Sequence, residues 1–167
     1  MDLYVAIFQG IIIASTPLVL AAIGELIVEK SGVLNLGVEG MMIIGAVASF
    51  IVTHETGSHL MGILAAIIAS GLIAVIFGIL TQYLLSNQVA TGLALTLFGL
   101  GLASLIGQSY SGISLKAFPI LEVTILSDIP IIGGMLFSFD YLVYLSVLIV
   151  VATYLFLKKT KAGLILI

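Results

Sequence analysis

The chain has 167 residues, of which 62% are hydrophobic and only 8% are charged, and its formal net charge at pH 7 is -3. A mean hydropathy of +1.38 exceeds what a soluble globular domain carries, so the composition excludes that class and indicates an integral membrane protein. The acidic residues are scattered and no basic patch or cysteine is present, which excludes nucleic-acid binding, disulfides and thiolate metal sites.

Five apolar stretches are long enough to cross the bilayer, because a helical crossing of about 30 Å needs roughly 20 residues. Their approximate bounds are 3–24, 33–53, 60–85, 89–110 and 141–157. The sequence therefore predicts an all-α fold, a polytopic transmembrane helix bundle of about five spans. We expect residues 1–167 to form a single transmembrane domain in the cell membrane, with the lipid bilayer around it.

The lysines predict the orientation, since positive charge in short loops is held on the cytoplasmic side of a membrane. Lys158, Lys159 and Lys161 directly follow the last span. Placing them inside also puts Lys30 inside and leaves only Lys116 outside. This arrangement, with the N-terminus outside and the C-terminus cytoplasmic, satisfies four of the five lysines.

The same orientation predicts a long external loop over residues 111–140. This loop mixes apolar residues with Pro119, Pro130, Gly133 and Gly134, which disfavour a straight spanning helix. A surface-lying or short re-entrant element fits this composition better. A membrane-hugging connector and a docking surface for an external protein explain it about equally well.

The segment between the first two spans carries Glu25, Glu29 and Lys30, which the orientation places in a cytoplasmic loop. Residues 24–31 resemble a phosphate-binding loop, but Glu29 stands where a second glycine is required. Its carboxylate would repel phosphate and block the close approach of the backbone. The sequence thus excludes a nucleotide site here, and any ATP hydrolysis is expected on another polypeptide.

His54, Glu55 and His59 resemble a zinc-protease helix motif with one residue too many. On a helix, histidines five apart diverge instead of facing one ion, so a solvated external turn is the favoured interpretation. No arrangement of serine, histidine and aspartate indicates nucleophilic catalysis. The sequence therefore predicts no enzyme activity, no metal site and no cofactor.

Glu39 stands out in the second span, together with Asn35. An ionised carboxylate near the centre of a span costs roughly 2.5–3.5 kcal/mol, so Glu39 needs a partner, water or the interface. We expect Asn35 one turn earlier on the same helix face, in a helix weakened by neighbouring glycines. Two interpretations stay open: the pair lines a transport path, or Glu39 reaches the cytoplasmic interface or pairs with Lys30.

The fourth span opens with Asn87, Gln88 and Thr91, which are further candidates for a translocation path. Capping of the first helical turn by Asn87 or Ser86 is favoured over a contact with substrate, although the same residues could do both. Two stripes of small residues at four-residue spacing predict close helix packing. They are Ser70, Ala74, Gly78 and Gly99, Ala103, Gly107.

The stretch from Glu29 to Met42, EKSGVLNLGVEGMM, resembles the permease subunits of ABC importers for nucleosides and simple sugars. Weaker similarity continues at 87–95 and at 129–145. The resemblance implies a path formed by two permease subunits. It also implies a cytoplasmic ABC ATPase and an external substrate-binding protein or lipoprotein as partners. Whether the substrate is a nucleoside or a sugar stays open.

Members of that family are considerably longer, and the chain ends at Ile167 before their cytoplasmic coupling loop. The resemblance thus implies a fragment, a shortened gene product or half of a split permease. An inactive permease or a non-transporting membrane assembly subunit is the alternative to a transport function. A self-contained channel is less favoured, because a channel needs a ring of charged groups and Glu39 is the only acidic residue expected within the membrane.

Overall fold

The computed structural model describes residues 2–122 and 138–166 of the chain. These residues form six α-helices, five of which are long and apolar enough to cross a membrane. In chain order the helices are α1 (Asp2–Lys30), α2 (Val38–Thr56), α3 (His59–Gly78), α4 (Gln88–Gly107), α5 (Tyr141–Lys159) and α6 (Lys161–Ile165). The prediction of a helical fold with five spans is confirmed.

The largest differences from the predicted spans lie where the first ends and the second begins. Helix α1 continues to Lys30, and Gly32 with its left-handed backbone (φ 83°) stops it. Helix α2 begins at Val38 instead of residue 33, so the prediction that residues 33–37 are helical is wrong. The side chain of Asn35 accepts a hydrogen bond from the Gly37 amide, and such local bonds compete with helix formation.

Two compact units are present, comprising residues 32–116 and residues 1–31 with 117–167. In the unit of residues 32–116, α2 packs against both α3 and α4. Helix α3 continues through a π-helical turn, Ile79–Tyr83, and α4 through a 3₁₀ turn, Gln108–Tyr110. The buried apolar core of this unit consists of Met41, Ile73, Phe77 and Leu95.

Glycines bring α2 and α4 together at backbone distance. A Cβ atom on Gly40 would lie 2.6 Å from the Leu95 carbonyl oxygen, and one on Gly99 would lie 2.7 Å from the Gly40 Cα. Both positions therefore exclude a side chain. The predicted stripe on α4 does form a close contact with α2, because Gly99 meets Gly40 and Ala103 is buried.

The predicted stripe on α3 is used only in part. A Cβ atom added to Gly45 of α2 would lie 3.5 Å from the Ser70 side chain, so this end of the stripe faces α2. Ala74 is exposed, and a Cβ atom on Gly78 would meet nothing within 4 Å. The larger residues Ile73 and Phe77 are buried instead. Small size alone did not identify the packed face of this helix.

The other unit combines α1, α5 and α6 with a short antiparallel strand pair, β1 (Ile120–Glu122) and β2 (Ser138–Asp140). Residues 123–137 lie outside the described part of the chain, so half of the 111–140 loop, in which a surface or re-entrant element is predicted, falls outside it too. The strand pair adds a β element that the all-α prediction did not include. Asp140 ends β2 and caps α5, accepting hydrogen bonds from the amides of Leu142 and Val143.

Candidate functional site

Residues 33–37, hereafter the pre-α2 segment, form a non-helical stretch that lies against α4. Two α4 side chains bond to its backbone. The Leu34 amide donates to Gln88 Oε1 at 2.8 Å, and the Thr96 hydroxyl donates to the Leu36 carbonyl at 2.9 Å. Backbone groups outside a helix need partners wherever water is excluded, and these two side chains supply them.

Asn35 is buried at 8% exposure within the pre-α2 segment. Its Oδ1 accepts from the Gly37 amide at 2.9 Å, and its Nδ2 lies 3.7 Å from the Met41 sulfur. Asn35 is not helical, so the prediction that it shares a helix face with Glu39 is wrong. Its amide group shapes the turn into α2 instead.

Gly92 allows the pre-α2 segment to touch the α4 backbone. A Cβ atom on Gly92 would lie 2.9 Å from both the Leu36 and the Gly37 amide nitrogens. Gly37 is also confined, though less tightly, since its Cβ would lie 3.3 Å from the Gly92 carbonyl oxygen. The two sequence stretches that carry the family resemblance, around residues 29–42 and 87–95, are thus brought into direct contact.

Glu39 is exposed on the first turn of α2. A carboxylate at this position is favoured by the partial positive charge of the helix N-terminus, which offsets part of its cost. Within the described part of the chain, the Glu39 carboxylate forms no hydrogen bond or ion pair, unlike the side chains of Asn35 and Gln88. It is the candidate side chain whose carboxylate is left open to a solute.

Asn87 caps α4, and its Oδ1 accepts from the Ala90 amide at 3.0 Å. The capping interpretation is therefore confirmed for Asn87. The Thr91 hydroxyl lies 2.8 Å from that of Ser86, and the Ser86 hydroxyl donates to the Leu80 carbonyl at 2.7 Å. These polar groups fasten the turn between the π-helical end of α3 and the start of α4.

Glu25, Glu29 and Lys30 lie in the last turns of α1, so their predicted position in a loop is wrong. The apolar run ends at Gly24, but the backbone remains helical because glutamate and lysine are good helix formers. Residues 24–30 form a helix rather than a phosphate-binding loop, in agreement with the rejection of that motif.

The His54 and Glu55 pair lies at the far end of α2 from the pre-α2 segment. The Tyr110 hydroxyl donates to Glu55 Oε1 at 3.0 Å, and His54 Nδ1 lies 3.5 Å from the same oxygen. The rings of His54 and Tyr110 also meet edge to face. No group of three metal-binding side chains occurs within residues 2–122 and 138–166.

Thr96 was not selected by the sequence analysis, although its hydroxyl holds the pre-α2 segment. The sequence pattern that could have identified Thr96 is the stripe of small residues Gly99, Ala103 and Gly107. Extended two turns toward the N-terminus of α4, this face reaches Thr96 and then Gly92, and both are buried. A hydroxyl among glycines on one helix face indicates a backbone to which it can bond.

Five apolar helices, with an irregular segment held inside one helical unit, define a multi-pass protein of the cell membrane. Residues 7–167 match the model of the family described as branched-chain amino acid transport system / permease component. The chain belongs to this permease family, a class of transporters rather than of enzymes.

Three curated relatives cover almost all of the chain. A putative glucose ABC transporter permease of Haloferax volcanii is 39% identical over 155 residues, which are 90% of this chain and 47% of the relative. A guanosine ABC transporter permease of Bacillus subtilis is 30% identical over 172 residues, covering 95% of this chain and 53% of the relative. A nucleoside ABC transporter permease of Lactococcus lactis is 28% identical over 169 residues, with the same two coverages.

The chain thus spans about half the length of the curated relatives that it matches. No solved structure matches it significantly.

Proposed function

We propose that the chain forms part of the permease subunit of an ATP-driven importer and contributes to the path of a nucleoside or a simple sugar. The observation that carries the proposal is the contact of the pre-α2 segment with α4, since it joins the two stretches that resemble importer permeases. The names of the relatives, which refer to glucose, guanosine and nucleosides, support this substrate class.

The polar residues at this contact fit a neutral solute with many hydroxyl groups. In the proposed path the Glu39 carboxylate accepts hydrogen bonds from substrate hydroxyls, because it is the exposed charged group at the start of α2. Asn35 and Thr91 shape the wall of the path through the bonds they already make. Gln88 holds the wall from α4, and Asn87 starts that helix.

The partners of the proposed importer are a second permease subunit, a cytoplasmic ABC ATPase and an external substrate-binding protein or lipoprotein. Hydrolysis of ATP is assigned to the separate ATPase, because residues 24–30 are helical and offer no phosphate-binding loop. The proposal keeps the orientation in which Glu25, Glu29 and Lys30 lie near the cytoplasmic face, where the charged end of α1 can stay hydrated.

The test is ATP-driven uptake of labelled nucleosides and sugars by the full-length permease, reconstituted with its ATPase and binding protein. The Glu39→Gln variant removes the charge but keeps the shape of the side chain. We expect uptake at low substrate concentration to fall about tenfold, the factor for ~1.4 kcal/mol, near the lower end for a hydrogen bond to a charged group.

Glu55→Gln provides the matched control, because it makes the same chemical change at the other end of α2. We expect this variant to transport like the unmodified protein. Unchanged uptake in Glu39→Gln would remove Glu39 from the path and return it to a structural role.

A further inference from the structure

Two side chains of α4 form hydrogen bonds with backbone atoms, rather than side-chain atoms, of the pre-α2 segment. Gln88 accepts from the Leu34 amide, and Thr96 donates to the Leu36 carbonyl. They stand eight residues apart, about 12 Å along the helix axis. Gly92 lies midway between them, where the Leu36 and Gly37 backbones touch α4. The segment is therefore attached to α4 at three levels.

This attachment determines the position of the first turn of α2. Helix α2 begins at Val38, directly after the pre-α2 segment, and Glu39 is its second residue. In the same turn, Gly40 is pressed against the backbone of Leu95 and Thr96. Since the chain is held immediately before and after Glu39, the Glu39 backbone has a fixed place relative to α4, and its side chain starts from that place.

We infer that Gln88 and Thr96 are positioning residues, which place the Glu39 carboxylate for substrate through the backbone of the pre-α2 segment. The inference rests on the proposed function of Glu39. It gives Gln88 a different role from that of a substrate contact, because its side-chain oxygen is already bonded to Leu34. The Thr96 hydroxyl is bonded to the Leu36 carbonyl and its side chain is 9% exposed, so a solute does not reach it without displacing the segment.

The physical reason for two such residues lies in the irregular backbone. Carbonyl and amide groups that lose their partners where water is excluded carry a desolvation cost, so the segment would shift to find others. A shifted segment would place Glu39 correctly for only part of the time. The apparent affinity for substrate then falls by that fraction, while the later steps of transport keep their rates.

The experiment uses two pairs of variants in the reconstituted full-length importer. Thr96→Val and Gln88→Met remove the bonding group at nearly constant volume, whereas Thr96→Ser and Gln88→Glu keep a donor and an acceptor. Thr81→Val is the control, because its buried hydroxyl donates to the Phe77 carbonyl within its own helical stretch. Uptake kinetics are measured at equal amounts of permease in the membrane.

We expect Thr96→Val and Gln88→Met to raise the KM for uptake about fivefold, the factor for ~1 kcal/mol or one typical hydrogen bond, with Vmax unchanged. Thr96→Ser, Gln88→Glu and Thr81→Val should keep the original KM. Hydrogen exchange at the Leu34 amide should accelerate in Gln88→Met and not in Gln88→Glu. This second measurement holds even if Thr96→Val fails to fold.

An unchanged KM, or a loss of Vmax and membrane abundance without a rise in KM, would overturn the inference and leave these residues with a structural role. Glu39→Gln in the same preparation separates the two ideas. If Glu39→Gln lowers uptake while Gln88→Met leaves KM unchanged, the inference alone fails. If Glu39→Gln transports normally, the proposed path through Glu39 fails.

Discussion

A side chain on Gly99 should weaken the contact between α4 and α2. In Gly99→Ala, the new Cβ would lie 2.7 Å from both the Cα and the carbonyl oxygen of Gly40, against at least 3.4 Å in an ordinary contact. The two backbones would have to separate by on the order of 0.7 Å, because neither is a flexible side chain. Such overpacking costs about 1–3 kcal/mol in well-packed interiors.

Gly101→Ala is the matched control on the same helix, since a Cβ at Gly101 meets nothing within 4 Å. Both variants gain the same helix propensity of alanine over glycine, about 1 kcal/mol, so their difference isolates the steric cost. Thermal unfolding of the purified protein in detergent should give a Tm for Gly99→Ala roughly 2–12 °C below that of Gly101→Ala. Equal Tm values for the two variants would refute the glycine-mediated contact of α2 and α4.

Two further predictions concern the cap of α5 and the orientation in the membrane. Asp140→Ala should lower the free energy of unfolding by about 1 kcal/mol through loss of the helix cap, while Asp140→Ser should keep most of it; chemical denaturation measures both, and equal losses would contradict the capping role. Because the chain lacks cysteine, Ser58→Cys and Lys161→Cys introduce single thiols. A membrane-impermeant maleimide added to intact cells should label the first and not the second, and the reverse pattern would contradict the proposed orientation.

The spans could be predicted from the sequence because the bilayer imposes a length and an apolar composition on each crossing. The interruptions between the predicted spans at residues 54–59 and 86–88 were visible for the same reason. The start of α2 was not, because residues 33–37 are largely apolar. Their non-helical backbone depends on hydrogen bonds, among them the one that the Gly37 amide donates to the Asn35 side chain. Hydropathy does not show whether a backbone amide bonds within a helix or to a nearby side chain.

Some residues at the contact between the pre-α2 segment and α4 could be selected from the sequence, and their part in a transport path stays a prediction. The sequence singled out Asn35, Glu39 and Gln88, and the structure brings Asn35 and Gln88 to one contact. Their individual bonding partners could be assigned only from the structure. A polar side chain near a span can bond to a solute or to a distant backbone group, and Gln88 bonds to Leu34, 54 residues away in the sequence. Thr96 was missed because a threonine inside an apolar helix usually bonds to its own helix.

The central claim, that this chain belongs to the path of an ATP-driven importer, is tested most directly by accumulation in proteoliposomes. The full-length permease is reconstituted with its ATPase and binding protein, and the internal concentrations of labelled guanosine and glucose are followed after ATP is added. The account predicts that one of these solutes rises above its external concentration with ATP and not without it. No accumulation of any nucleoside or simple sugar by the assembled complex would contradict the account.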